Sequence, residues 1–96
     1  MPIYDYIIVG GGISGVYMAY KLQQTGNDIL LIESTNRLGG RIFTETVQGI
    51  QMELGASRIS TNHHKCMSLI KELNLEKDLV ELPETIRYKI PTPKIN

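Results

Sequence analysis

The sequence has a single cysteine, Cys66, so no intrachain disulfide can form and a disulfide-framed secreted mini-protein is excluded. It has no excess charge: ten Lys and Arg balance ten Asp and Glu. Nucleic-acid binding through an overall basic surface is therefore not expected. It has no apolar run near the ~20 residues that span a bilayer, so no membrane span is expected. A basic leader is missing too, and Asp5 interrupts the first apolar stretch, which argues against a secretory signal peptide. An intracellular, soluble chain is favoured over a secreted one, with the compartment left open. At 96 residues the chain makes one small domain at most. Its 42% hydrophobic and 21% charged residues are the composition of a folding chain.

The glycines are clustered. Gly10, Gly11, Gly12 and Gly15 form one group, and Gly39-Gly40 a second. Charge is uneven as well: residues 1–35 carry a net of −2 and residues 36–71 a net of +3. The mildly basic middle holds Arg37, Arg41 and Arg58, which suits a small anionic ligand better than a polymer.

Hydrophobic periodicity sets the expected elements. Tyr6-Ile7-Ile8-Val9 is apolar at every position and runs into glycine, as a strand buried on both faces does. From Ile13 the period changes to that of a helix, through Val16, Tyr17 and Tyr20, with Thr25-Gly26 as its stop. Residues 28–32 are a second apolar strand, so the first 33 residues make a βαβ unit. A simple doubly wound domain would then supply another helix, but residues 34–40 are turn formers. Residues 42–47 and 50–54 predict a hairpin turning at Gln48-Gly49. Ser60 or Thr61 is expected to cap a helix with Cys66, Leu69, Ile70 and Leu73 on its apolar face. Residues 86–90 alternate like one more strand, and residues 91–96 form an extended tail.

Three constellations carry chemistry. Gly10-Gly11-Gly12-Ile13-Ser14-Gly15 is a GxGxxG match placed between a strand and a helix. Gly10 permits the tight turn, Gly12 leaves room for a pyrophosphate, and Gly15 lets the helix pack closely on the sheet. Free N–H groups at the helix start would then face the phosphates. The alternative is a glycine-rich turn that binds nothing. Glu33, 23 residues after Gly10, sits where a carboxylate accepts hydrogen bonds from both ribose hydroxyls of an adenosine. It repels a 2′-phosphate; the alternative is an ordinary surface glutamate. Arg37-Leu38-Gly39-Gly40-Arg41 adds paired glycines that let the chain pass close to a ligand, and guanidiniums that bind phosphate. A plain β-turn is the alternative there.

With these elements in this order, the sequence resembles the flavin-containing amine oxidase family. The likeness runs from Tyr6-Ile7-Ile8-Val9-Gly10 through Leu31-Ile32-Glu33 and Arg37–Arg41 to Glu53-Leu54-Gly55-Ala56, about three-quarters of the chain. The resemblance implies an α/β fold: a partial FAD/NAD(P)-binding Rossmann-type domain of βαβ unit, Gly-Gly-Arg loop, β-hairpin and helix. It implies an N-terminal FAD-binding segment over residues 1–90. It further implies that Gly10, Gly12, Ser14 and Gly15 contact the FAD pyrophosphate and that Glu33 holds the ribose. Gly40 and Arg41 would reach the pyrophosphate or ribityl region, and Gly55, Ala56, Ser57 and Arg58 would run beside the ribityl chain and flavin. In that family FAD takes a hydride equivalent from a C–N bond and passes it to oxygen, giving an imine and hydrogen peroxide.

Two departures stand out. Many members have arginine two residues after the ribose glutamate, where this chain has Thr35. Members also carry a substrate domain and a late FAD-binding segment, so the sequence reads as truncated and unable to catalyse alone, with no catalytic residue to name. A second chain supplying the missing half, or a non-catalytic nucleotide-binding remnant, are the competing readings. An NAD-binding domain is a third, and the Gly39-Gly40-Arg41 turn counts against it. His63, His64 and Cys66 lack a second ligand cluster, so no metal is expected.

Overall fold

A computed structural model describes residues 2–82. The chain divides into two compact units, Met1–Arg58 and Ile59–Asn96. The expected strand over residues 86–90 and the tail over residues 91–96 lie outside the described residues.

In the first unit, β1 (Tyr6–Val9) leads through the glycine turn into α1 (Ile13–Gln24) and back into β2 (Ile29–Ile32). β1 and β2 pair in parallel, with Ile7 opposite Leu30 and Val9 opposite Ile32. This is the expected βαβ unit, with boundaries shifted by a residue or so. Its lower end is pinned by the Asp28 N–H donating to the Asp5 carboxylate at 2.7 Å. α1 stops where its sequence signals lie: the Thr25 hydroxyl and the Asn27 amide both donate to the Leu22 carbonyl, and Gly26 takes a φ of +83°.

Residues 34–40 form no helix, as their turn formers predict. β3 (Thr44–Val47) and β4 (Ile50–Glu53) then form an antiparallel hairpin. Its two-residue turn puts both Gln48 and Gly49 at positive φ, the arrangement whose twist matches the flanking strands. The hairpin is shorter at its start than expected. Residues 42 and 43 are outside the strand, although the Leu54 N–H still bonds the Phe43 carbonyl at 2.8 Å.

One expectation is corrected in the sheet. β1 is not buried on both faces. Side chains alternate along a strand, and only the face carrying Ile8 lies beneath α1; Ile8 is the one buried hydrophobic residue among those described. On the opposite face Ile7 is 60% exposed and Val9 82%. The reason is topological: among the described residues the parallel sheet has two strands and one helix, so one face and one edge of β1 stay open.

The second unit contains α2 (His64–Glu72) and a 3-10 turn at Glu76–Asp78. Here the expected cap is corrected. The residue before the helix is His63, with no side-chain cap bond. Ser60 instead closes the preceding turn: its carbonyl accepts from the His63 N–H at 2.9 Å and its hydroxyl accepts from the Asn62 N–H at 3.2 Å. Cys66, Leu69 and Ile70 lie on the half-buried face with Met67, while Leu73 is exposed at the helix end. No described helix is long and apolar enough to cross a membrane.

Candidate functional site

The site begins where β1 ends. Gly10 leaves the strand at a φ of +107°, a backbone region that side chains resist, and its N–H bonds the Ile32 carbonyl at 2.7 Å. Gly12 is the N-cap of α1, and no side chain caps the helix. The first N–H groups of α1 are therefore left pointing off its end, where the helix dipole is positive and the first turn itself carries no acidic residue. A Cβ built on Gly15 would collide with the Gly10 carbonyl oxygen, so glycine is required for the helix to sit against the turn. Gly12 differs. A Cβ there would meet nothing nearer than the Gly40 Cα at 4.0 Å, so no contact within the chain requires glycine at that position.

The two glycine clusters are brought together by backbone. The Gly39 N–H donates to the Gly11 carbonyl at 2.8 Å, and Gly12 and Gly39 form an isolated parallel bridge. A Cβ on Gly40 would lie 3.2 Å from the Gly12 Cα, so this close approach needs glycine. Arg37 lines the site, and its guanidinium is also engaged within the loop. It donates to the carbonyls of Gly40 at 2.6 Å and Leu38 at 3.2 Å, and it lies 4.2 Å from the centre of the Phe43 ring. Arg37 fastens the loop from within. Arg41 has no such internal partner among the described residues and lines the site. Its carbonyl accepts from the Ala56 N–H at 3.0 Å, which draws residues 55 and 56 alongside.

These segments enclose an open groove of about 970 Å³. Gly10, Gly12, Ser14 and Gly15 form one wall. Gly40, Arg41, Gly55 and Ala56 form part of the other, with Ile42, Phe43 and Leu54 adding apolar surface. Eight of the eleven residues expected from sequence therefore meet in one place. Glu33, Ser57 and Arg58 do not line the groove, and Ser57 and Arg58 are solvent-exposed.

Glu33 stands directly behind the glycine turn. Its Oε1 accepts from the Gly11 N–H at 2.9 Å. Its Oε2 accepts from the Thr35 hydroxyl at 2.7 Å and the Thr35 N–H at 2.8 Å. These bonds, the Thr35 hydroxyl first, hold the Glu33 carboxyl down to about 2 against its ordinary 4.5, with a smaller pull from Arg37 and an opposing effect of desolvation. Thr35 and Phe43 were not marked as site residues by the sequence, and Gly11 was marked only as part of the glycine run. For Gly11 the signal was its place in the middle of the three-glycine run. For Thr35, spacing by two from a carboxylate is the signal, since a threonine there can return its hydroxyl and N–H to one oxygen.

Comparison with known proteins follows the same outline. The family model for the NAD(P)-binding Rossmann-like domain matches residues 8–73. Achacin from Lissachatina fulica is 47% identical over 75 residues, 74% of this chain and 14% of achacin. Human amine oxidase [flavin-containing] B is 37% identical over 87 residues, 90% of this chain and 17% of that enzyme. A solved structure, wild-type putrescine oxidase bound to putrescine, superposes with a TM-score of 0.70 at 37% identity, over 74% of this chain and 16% of that one. The chain thus spans less than a fifth of the length of each of these relatives. The resemblance to flavin-containing amine oxidases, read first from the glycine and arginine motifs, is borne out.

Proposed function

The chain belongs to the NAD(P)-binding Rossmann-like domain family, and from that premise we propose that the dinucleotide it holds is FAD, as the FAD-binding portion of an amine-oxidase-like flavin-dependent oxidoreductase. The observation that carries this reading is the groove itself. An uncapped helix start, Gly12 with no close neighbour for a Cβ, and an arginine in the lining occur together there, and these fit a pyrophosphate. Arg41, Gly55 and Ala56 add further lining to the same groove.

The residue roles proposed are those the resemblance implies. The N–H groups at the start of α1 receive the pyrophosphate, with Gly10, Gly12, Ser14 and Gly15 shaping the approach. Arg41 supplies charge to it, Glu33 addresses the adenosine ribose, and Gly40 permits close passage. Gly55, Ala56, Ser57 and Arg58 are assigned to the ribityl and flavin side; of these, Gly55 and Ala56 have the support of lining the groove. FAD supplies the acceptor for a hydride equivalent taken from a C–N bond, and this chain binds and orients it. The turn over residues 34–40, docked on Gly11 in place of a helix, favours this reading over an NAD-binding domain.

We place no catalytic residue in this chain. Amine oxidation is proposed for the assembly it serves, and the amine-binding half for a second chain. The exposed apolar face of Ile7, Val9 and Ile32 supports a partner. The test is co-purification. A chain expressed in flavin-rich medium should carry visible flavin absorption, and Gly12→Val should purify folded but colourless. A colourless wild-type chain that also fails to take up added FAD would overturn the reading.

A further inference from the structure

We propose that Thr35 is a positioning residue that restricts Glu33 to reading one hydroxyl of the adenosine ribose; the inference rests on the FAD reading above. A carboxylate offers about four acceptor positions, two on each oxygen. Three are filled from within the chain. The Thr35 N–H and hydroxyl occupy Oε2, and the Gly11 N–H occupies one position of Oε1. The Thr35 hydroxyl also lies 3.0 Å from the Arg37 carbonyl, but it has one hydrogen, and the charged partner at 2.7 Å takes it. A single position on Oε1 is left for a ligand. This differs from the expectation that Glu33 accepts from both ribose hydroxyls.

A ribose hydroxyl does not displace Thr35 at a gain. Exchanging one O–H donor for another on the same oxygen is nearly neutral in bond energy. Thr35 is two residues from Glu33 and already held by its N–H, so its hydroxyl is delivered without loss of translational freedom. The second ribose hydroxyl therefore goes unread, and the chain tolerates its removal.

The test is titration of the full chain with FAD and with its analogues lacking the adenosine 2′- or 3′-hydroxyl. For the wild type, one deletion should weaken binding about tenfold and the other less than twofold. Thr35→Ser keeps a hydroxyl and should reproduce that asymmetry. Thr35→Val frees a position on Oε2, so both deletions should then weaken binding by similar factors. A merely structural role for Thr35 would lower affinity for all three ligands alike and leave the asymmetry unchanged, which would overturn the proposal. Equal losses for both analogues in the wild type would overturn it too, with the FAD reading intact. Absence of FAD binding by the wild type would overturn both.

Discussion

At the carboxyl end of the β1–β2 pair, three segments meet through backbone: the turn over residues 10–12, the loop over residues 34–40, and residues 55–56 beside Arg41. Gly10, Gly39 and Gly40 take positive φ there, and Gly11 is buried. In the body of the same sheet, Ile8 alone is buried while Ile7 and Val9 face solvent. The strand-end segments are held to one another by hydrogen bonds, while one face of the sheet is open among the described residues. Polar geometry at this strand end is set by glycine turns and by hydrogen bonds from Gly39 to Gly11 and from Ala56 to Arg41, all within the first unit. A core needs elements from elsewhere in a fold, and with about 60–70% of unfolded surface buried even in a compact chain of this size, stability is the weaker of the two.

Substitutions separate these two regions. Gly15→Val forces a collision with the Gly10 carbonyl and should cost about 3 kcal/mol or more, enough to unfold the first unit in denaturant titrations. Ile8→Ala removes the buried side chain and should cost about 2–3 kcal/mol. Arg41→Gln leaves the backbone pairing with Ala56 intact, so it should keep the melting profile while weakening FAD binding about tenfold. Ile7→Ser and Val9→Ser should each change unfolding by less than about 0.5 kcal/mol, and together should reduce self-association in sedimentation velocity.

The smallest expected effect is on pH dependence. The Glu33 carboxyl lies at about 2 in the folded chain against an ordinary 4.5. A lowered folded value means the contribution is fully present above about 4.5 and is lost as pH falls toward 2. Melting temperature should therefore decline over that window, and Glu33→Gln should flatten this part of the decline. An identical profile in the variant would remove Glu33 from the account.

The features legible in the sequence are those with local causes. Apolar runs, glycine positions and the Gln48-Gly49 turn placed β1, α1, β2 and the hairpin. The Gly39-Gly40-Arg41 motif announced a loop instead of a helix. Arg37 and Arg41 were indistinguishable by type and neighbourhood; both line the groove, and only the fold ties Arg37 to loop carbonyls as well. Thr35 looked like the loss of an arginine contact, yet its hydroxyl fastens Glu33. The exposure of β1 was misread because an apolar run reports suitability for burial, and burial itself depends on neighbours. Ser60 had the right chemistry for a cap, but the His63 ring nitrogen at 3.3 Å from its N–H belongs to a closed turn that delays the helix.

The central claim is that the groove between the glycine turn and the Gly39-Gly40-Arg41 loop is built for FAD. Calorimetric titration of the purified full chain with FAD and NAD tests it most directly. The account predicts saturable FAD binding at one site, lost in Gly12→Val and at least about tenfold tighter than NAD binding. NAD binding as tight as FAD, or FAD binding undiminished by Gly12→Val, would contradict it.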